Sequence, residues 1–108
     1  MAVYSVRARY REGLLAEFYV RLTDGTILAQ EPDGREIVAS MKRARITSPG
    51  VVEWSEKCFC DPPLKHERET VYDRYLTDME TEAIEDYVDF EGESFMGFMG
   101  KEAGKRKK

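Results

Sequence analysis

The residues best suited to chemistry stand close together in the middle of the chain: Cys58, Cys60, His66 and Glu67. Thiolates and imidazole are the ligands that hold zinc, and two thiols in a C-x-C pattern can reach one metal where the backbone bends before the histidine returns. Asp61-Pro62-Pro63 supplies such a bend, and Asp61, Glu67 or Glu69 would complete a fourth position. Structural zinc sites usually join two separated ligand pairs, whereas this chain has a single histidine and a single C-x-C. No metal is therefore assigned, and Cys58, Cys60 and His66 are the positions to inspect. A second chemistry uses the same residues. An imidazole beside a thiol lowers its pKa, so His66 with Cys60, Glu67 or Tyr72 would form a nucleophilic or acid-base pair in a small enzyme. The plain alternative makes both cysteines small buried hydrophobes at a strand end, with His66 a polar residue near a loop.

Two further groups could bind rather than react. Arg7, Arg9 and Arg11 recur every second residue, so on a strand their guanidinium groups form a ladder able to grip a carboxylate or phosphate. Cross-strand pairing with the acids between Glu80 and Asp89 would use up the same charges. Trp54, Tyr72 and Tyr75 with Met41 could line an apolar pocket, or could simply be core. Near the end, Phe95, Met96, Phe98 and Met99 suit either packing on the core or a contact with a second copy of the chain. The sequence has no G-x-G-x-x-G, P-loop, nucleophile elbow, H-E-x-x-H or EF-hand pattern, so no cofactor is implied.

The elements that would position these residues follow from hydrophobic spacing. Ala2, Tyr4, Val6, Ala8 and Tyr10 alternate with polar neighbours and predict a half-buried strand over 2–11. Leu14, Leu15, Phe18, Tyr19 and Leu22 recur at helical spacing and predict a helix over 14–23 ended by Gly25, with a strand as the competing reading. Asp33, with Glu36 three residues on, reads as a capping box before a second helix whose stripe is Ile37, Val38, Met41 and Ala44. Ser48-Pro49-Gly50 is a turn, and Val51 to Phe59 returns to strand, with Val52, Trp54 and Cys58 on one side. From Pro62 to Leu76 the spacing of Leu64, Val71, Tyr72 and Tyr75 fits a helix, although Arg68 interrupts the stripe and Thr70-Val71-Tyr72 would suit a strand. One more strand is placed within 79–90 and a short capped helical turn at 94–100.

This order predicts a single α+β domain over 1–100, mostly an antiparallel sheet of three to four strands with two or three helices on one face. A ferredoxin-like sandwich is the nearest architecture. Residues 101–108 read as a disordered basic tail.

Charge is divided unevenly. The net value is -4, yet residues 78–93 hold eight acids and no base, while the last eight residues hold five bases and one acid. A folded domain with an acidic excess disfavours nucleic acid as a partner. Charges recur too often for a signal peptide or a spanning segment, so a cytoplasmic protein with reduced cysteines and no membrane partner is expected. These readings leave catalysis open. They favour a non-catalytic or ligand-binding module that associates with itself, with the small ligand or protein partner unidentified.

Overall fold

Alternation at the front of the chain sets the architecture. The structure, a computed structural model, describes residues 2–58 and 61–105. In β1 (Ala2–Tyr10) the even positions Val6 and Ala8 are buried while Arg7 and Arg9 face solvent. With one face apolar and the other charged, the strand is fixed in register and pairs antiparallel on both sides. Its neighbours are β3 (Val51–Cys58) and β4 (Leu76–Ile84), with Val6 opposite Trp54 and Thr81. β2 (Arg45–Ser48) runs back along β3 through the Pro49-Gly50 turn, and the two-residue β5 (Glu93–Ser94) pairs with β2. The sheet has five strands in the order β4-β1-β3-β2-β5, not three or four, and every pairing is antiparallel. β2 and β5 are the additions, each too short to leave an alternating pattern.

Among the described residues four helices, where two or three were expected, cover one side. A 3-10 turn (Glu12–Leu14) leads into α1 (Leu15–Thr23), which buries Leu15, Phe18 and Leu22, and α2 (Gly34–Arg43) buries Ile37, Val38 and Met41. The ambiguous middle segment is helical. It forms three contiguous pieces, Lys65–Glu67, a π-helical Arg68–Tyr72 and Asp73–Tyr75, together called α3. The extra residue in the π-turn shifts the buried stripe, so Glu67 is enclosed and Arg68 turns outward to pair with Asp73 at 3.2 Å. Arg68 thus ceases to be a flaw in the pattern. The next strand starts at Leu76, three residues ahead of the expected window.

The last helix, α4 (Phe95–Lys105), buries Phe95, Met99 and Ala103, and the Ser94 hydroxyl accepts from the Gly97 amide at its start. It runs five residues into the stretch assigned to a disordered tail; 106–108 lie outside the described residues. All four helices and the even face of the sheet share one core, in which Phe18 stacks on Tyr75 with ring centroids 4.3 Å apart.

Between β4 and β5 the chain crosses the opposite face of the sheet. Tyr87 donates from its hydroxyl to Glu36 on α2, and Val88 exchanges hydrogen bonds with the Ser55 hydroxyl on β3. This strap, residues 85–92, ends at Gly92, whose φ of +145° few other residues adopt and where a Cβ would lie 2.1 Å from the Ile46 carbonyl oxygen. Replacing Gly92 by alanine must therefore push the strap off β2 and cost about 2–4 kcal/mol. Gly13→Ala, with nothing within 4 Å of the new methyl, stays within about 0.5 kcal/mol of the parent. Urea midpoints measure both; equal midpoints for the two variants would show that the strap's close approach carries no stability.

Candidate functional site

Period two along β3 places residue 56 on the same face as Val52, Trp54 and Cys58, so a glutamate is driven into the core. Glu56 is fully buried. Its Oε1 accepts from the Trp54 indole N–H at 2.8 Å and from the Tyr72 hydroxyl at 2.7 Å, the latter reaching down from the π-helical part of α3. Its Oε2 has no hydrogen-bond partner among the described residues. No base faces it. Burial pushes the Glu56 carboxyl up to about 8, against the two hydrogen bonds that favour its ionised form, and the nearby Glu67 and Glu36 push the same way as burial. At neutral pH the group is mostly a neutral acid. Burial likewise raises Tyr72 well above the ordinary phenol range, with Glu56 adding to it.

A second enclosed carboxyl lies close by. Glu67, buried at the start of α3, has Oε1 3.5 Å from Cys58 Sγ. The cysteine is therefore matched with the glutamate, and His66 turns the other way. Its Nδ1 hydrogen-bonds Asp33 Oδ2 at the start of α2. Asp33 consequently makes no helix-capping bond, and the capping box read from the sequence is not formed. Glu36, its expected counterpart, accepts from the Lys57 amide at 3.1 Å, from Arg43 at 3.1 Å and from the Tyr87 hydroxyl at 3.0 Å. Arg43 also donates to the Ser55 carbonyl at 2.8 Å, and its guanidinium carbon lies 4.5 Å from the Tyr87 ring centre. β2 pairs with β3 only between Val51 and Glu53, so Glu36 and Arg43 do for the rest of that edge what a strand would have done.

The other expected site residues fall as follows. Trp54, Tyr72, Tyr75 and Met41 are enclosed in the core. Among the described residues no three metal-ligating side chains converge, and Cys60 lies outside them. Arg7, Arg9 and Arg11 are exposed on the sheet's outer face or its end. Arg11 is spent on the end of α3, where its amide donates to the Tyr75 carbonyl and its guanidinium reaches the Asp73 carbonyl. The register sets Arg7 opposite Glu53 on one side and Glu80 on the other, yet among the described residues no ion pair forms on any of the three arginines.

The acids of 78–93 are consequently left uncompensated. They lie on β4, the strap and β5, all with exposed residues, and among the described residues only Glu93 has an ion-pair partner, Lys101 at 3.4 Å. These exposed acids form a belt of one sign along one stretch of chain. Two surface hollows are open to solvent: one of about 240 Å³ beside Pro62, Pro63 and Arg68, and one of about 380 Å³ between α1 and α4 around Val20 and Ala103. Neither contains His66, Glu56 or Glu67.

Comparison with known proteins finds no family model that matches the chain, no similar curated protein and no similar solved structure.

The enclosed acid fixes how stability responds to pH. Below its unfolded value of 4.5 Glu56 is protonated in both states and costs nothing. Between 4.5 and about 8 the unfolded chain gains by ionising while the folded one does not, so stability falls as pH rises and levels off above about 8. The full difference is on the order of 5 kcal/mol, a large part of the roughly 5–15 kcal/mol that holds a domain together. Urea unfolding of the parent and of Glu56→Gln at pH 5 and pH 8 reads it: the variant gains on the parent by that order over the interval. A constant difference would place an ionised carboxylate in the core.

Proposed function

We propose that this protein is a non-catalytic binding module whose acidic belt, formed by β4 and the strap, receives a basic segment of another protein. The observation that supports it is the row of acids from Asp78 to Glu91, exposed and without ion-pair partners among the described residues, on one contiguous stretch of chain. A surface of one sign steers a partner of the opposite sign and repels polyanions, which argues against nucleic acid as the ligand. Catalysis is disfavoured because the carboxyl with the most strongly altered affinity for protons is sealed from any substrate.

For the architecture we favour a ferredoxin-like sandwich enlarged at one edge. The chain order β1, helices, β2, β3, α3, β4 and the strand order β4-β1-β3-β2 both fit that reading, with β5 and α4 as the enlargement. Among the described residues no helix is long and apolar enough to cross a membrane, which is compatible with a cytoplasmic site of action.

Fluorescence anisotropy with a labelled lysine- and arginine-rich peptide tests the binding role. Affinity should fall at least about ten-fold between about 0.05 M and about 0.5 M salt. Replacing Glu85, Asp86 and Glu91 by their amides should weaken it by a similar factor, while Glu12→Gln with Glu31→Gln, exposed acids outside the belt, leaves it within about two-fold. Absence of binding at low salt, or equal loss with both sets, would remove the proposal.

A further inference from the structure

From the free edge of β4 we infer the mode of that binding: the basic segment adds to the sheet as an extended strand beside β4. The inference rests on the acidic-belt reading and adds to it a backbone geometry. β4 is nine residues long and stands last in the sheet, paired among the described residues with β1 alone, which leaves its second row of amides and carbonyls open to them. The sheet's other end is closed by a strand of two residues and offers little comparable length.

The open stretch is bounded. Asp78, at a φ of +53°, lies where the pairing with β1 slips between Arg7 and Arg9, and such a bulge turns the strand away from a straight partner. Beyond it, Glu80 to Ile84 continue in unbroken register with Arg7 to Val3. Thr81 and Ala83, on the core side of the sheet, are exposed, so no helix stands in the way of a neighbour. Glu80 and Glu82 project from the other side, where they sit with Ser5 and Arg7 around a hollow of about 190 Å³.

The charges select the occupant. An added strand lies about 4.8 Å away and sets its side chains about 5 Å from those opposite, so a residue facing Glu80 and another facing Glu82 favour lysine or arginine at alternate positions. β1 sets one base in such a place from the inner side, Arg7 opposite Glu80, while Glu82 faces Ser5 and has no base across from it on β1. A second copy of β4 is the wrong occupant, because antiparallel pairing would bring the acids of the two edges together. Main-chain bonds would then give affinity and the alternating bases would give selectivity.

The test uses the whole chain and a labelled peptide that alternates threonine with lysine or arginine, together with two versions carrying backbone N-methyl groups on the threonines or on the basic residues. All three carry the same charge. Successive amides of a strand point to opposite sides, so strand addition predicts that one methylated peptide loses about ten-fold or more in affinity while the other stays within about three-fold of the parent. Equal affinities for the two methylated peptides, high or low, overturn strand addition. If the unmethylated peptide nevertheless binds in a salt-sensitive way, the acidic-belt reading stands without it; if that peptide also fails to bind, both fall.

Discussion

Burial of β3 on both of its faces is the constraint on which the rest of the structure depends. Five of its eight residues are at most 2 % exposed, and they alternate between sides: Val52, Trp54 and Glu56 toward the helices, Val51 and Ser55 away from them. A central strand with helices on one side only would leave the second group in water. The strap meets that need at Ser55, whose hydroxyl serves as acceptor for the Val88 amide and donor to the Val88 carbonyl. β2 cannot complete the outer edge, since it ends after pairing with Glu53. Glu36 and Arg43 therefore hold that edge from α2, and Tyr87 locks the strap to the same pair. A short strand, a helix face and a loop are thus solved together, and loosening one exposes the others.

The distribution of charge follows from this arrangement. A strap that crosses a sheet has one side against the protein and one in water; its anchors are Tyr87 and the Val88 backbone, and its acids must take the wet side. β4 has the same division, because only Leu76 is buried beneath the helices while Glu80 and Glu82 stand on the outer face. Two of the bases are committed elsewhere: Arg74 to Glu17 and Arg43 to Glu36. Glu17 shows what such a commitment does, since the hydrogen bonds from Arg74 and then Tyr75 hold its carboxyl down to about 2. Glu56, enclosed in the core with Glu67 and Glu36 nearby, is driven by burial in the opposite direction. The two glutamates mark the extremes that one chain imposes on the same side chain.

Much of the fold was legible because its long elements carry clean periods. β1, α1, α2 and β3 were each readable from a stripe of apolar residues at the right spacing. β2 and β5 were not, because four residues and two residues are too few to display alternation, and Arg45 and Glu93 gave no apolar signal. The π-turn in α3 disguised a helix by displacing its stripe one position, from Arg68 to Glu67. The candidate site was legible in part. The same alternation that put Val52, Trp54 and Cys58 on one side required Glu56 to join them, and a charged residue at a core position was the available signal. Asp33 and Glu36 imitated a capping box so closely that spacing alone could not reveal their distant partners, His66 and the β3 edge. Those contacts are made across more than twenty residues of chain and leave no local pattern.

An acidic, bulged edge strand admits two physical descriptions, and magnitude separates them. As protection, the charges on β4 need only make pairing with another copy unfavourable, and a few like charges brought opposite one another suffice for that. The belt exceeds the requirement. Glu85, Asp86, Asp89 and Glu91 lie on the strap, away from the edge, where they do nothing to deter strand pairing and add self-repulsion to the folded state. Acids at those positions lengthen the reach of the field to about a Debye length, 8–10 Å at ordinary salt, and a field of that reach acts on partners before contact. Protection accounts for Glu80 and Glu82 alone; attraction accounts for the whole row, and that is the ground on which the proposed binding role rests.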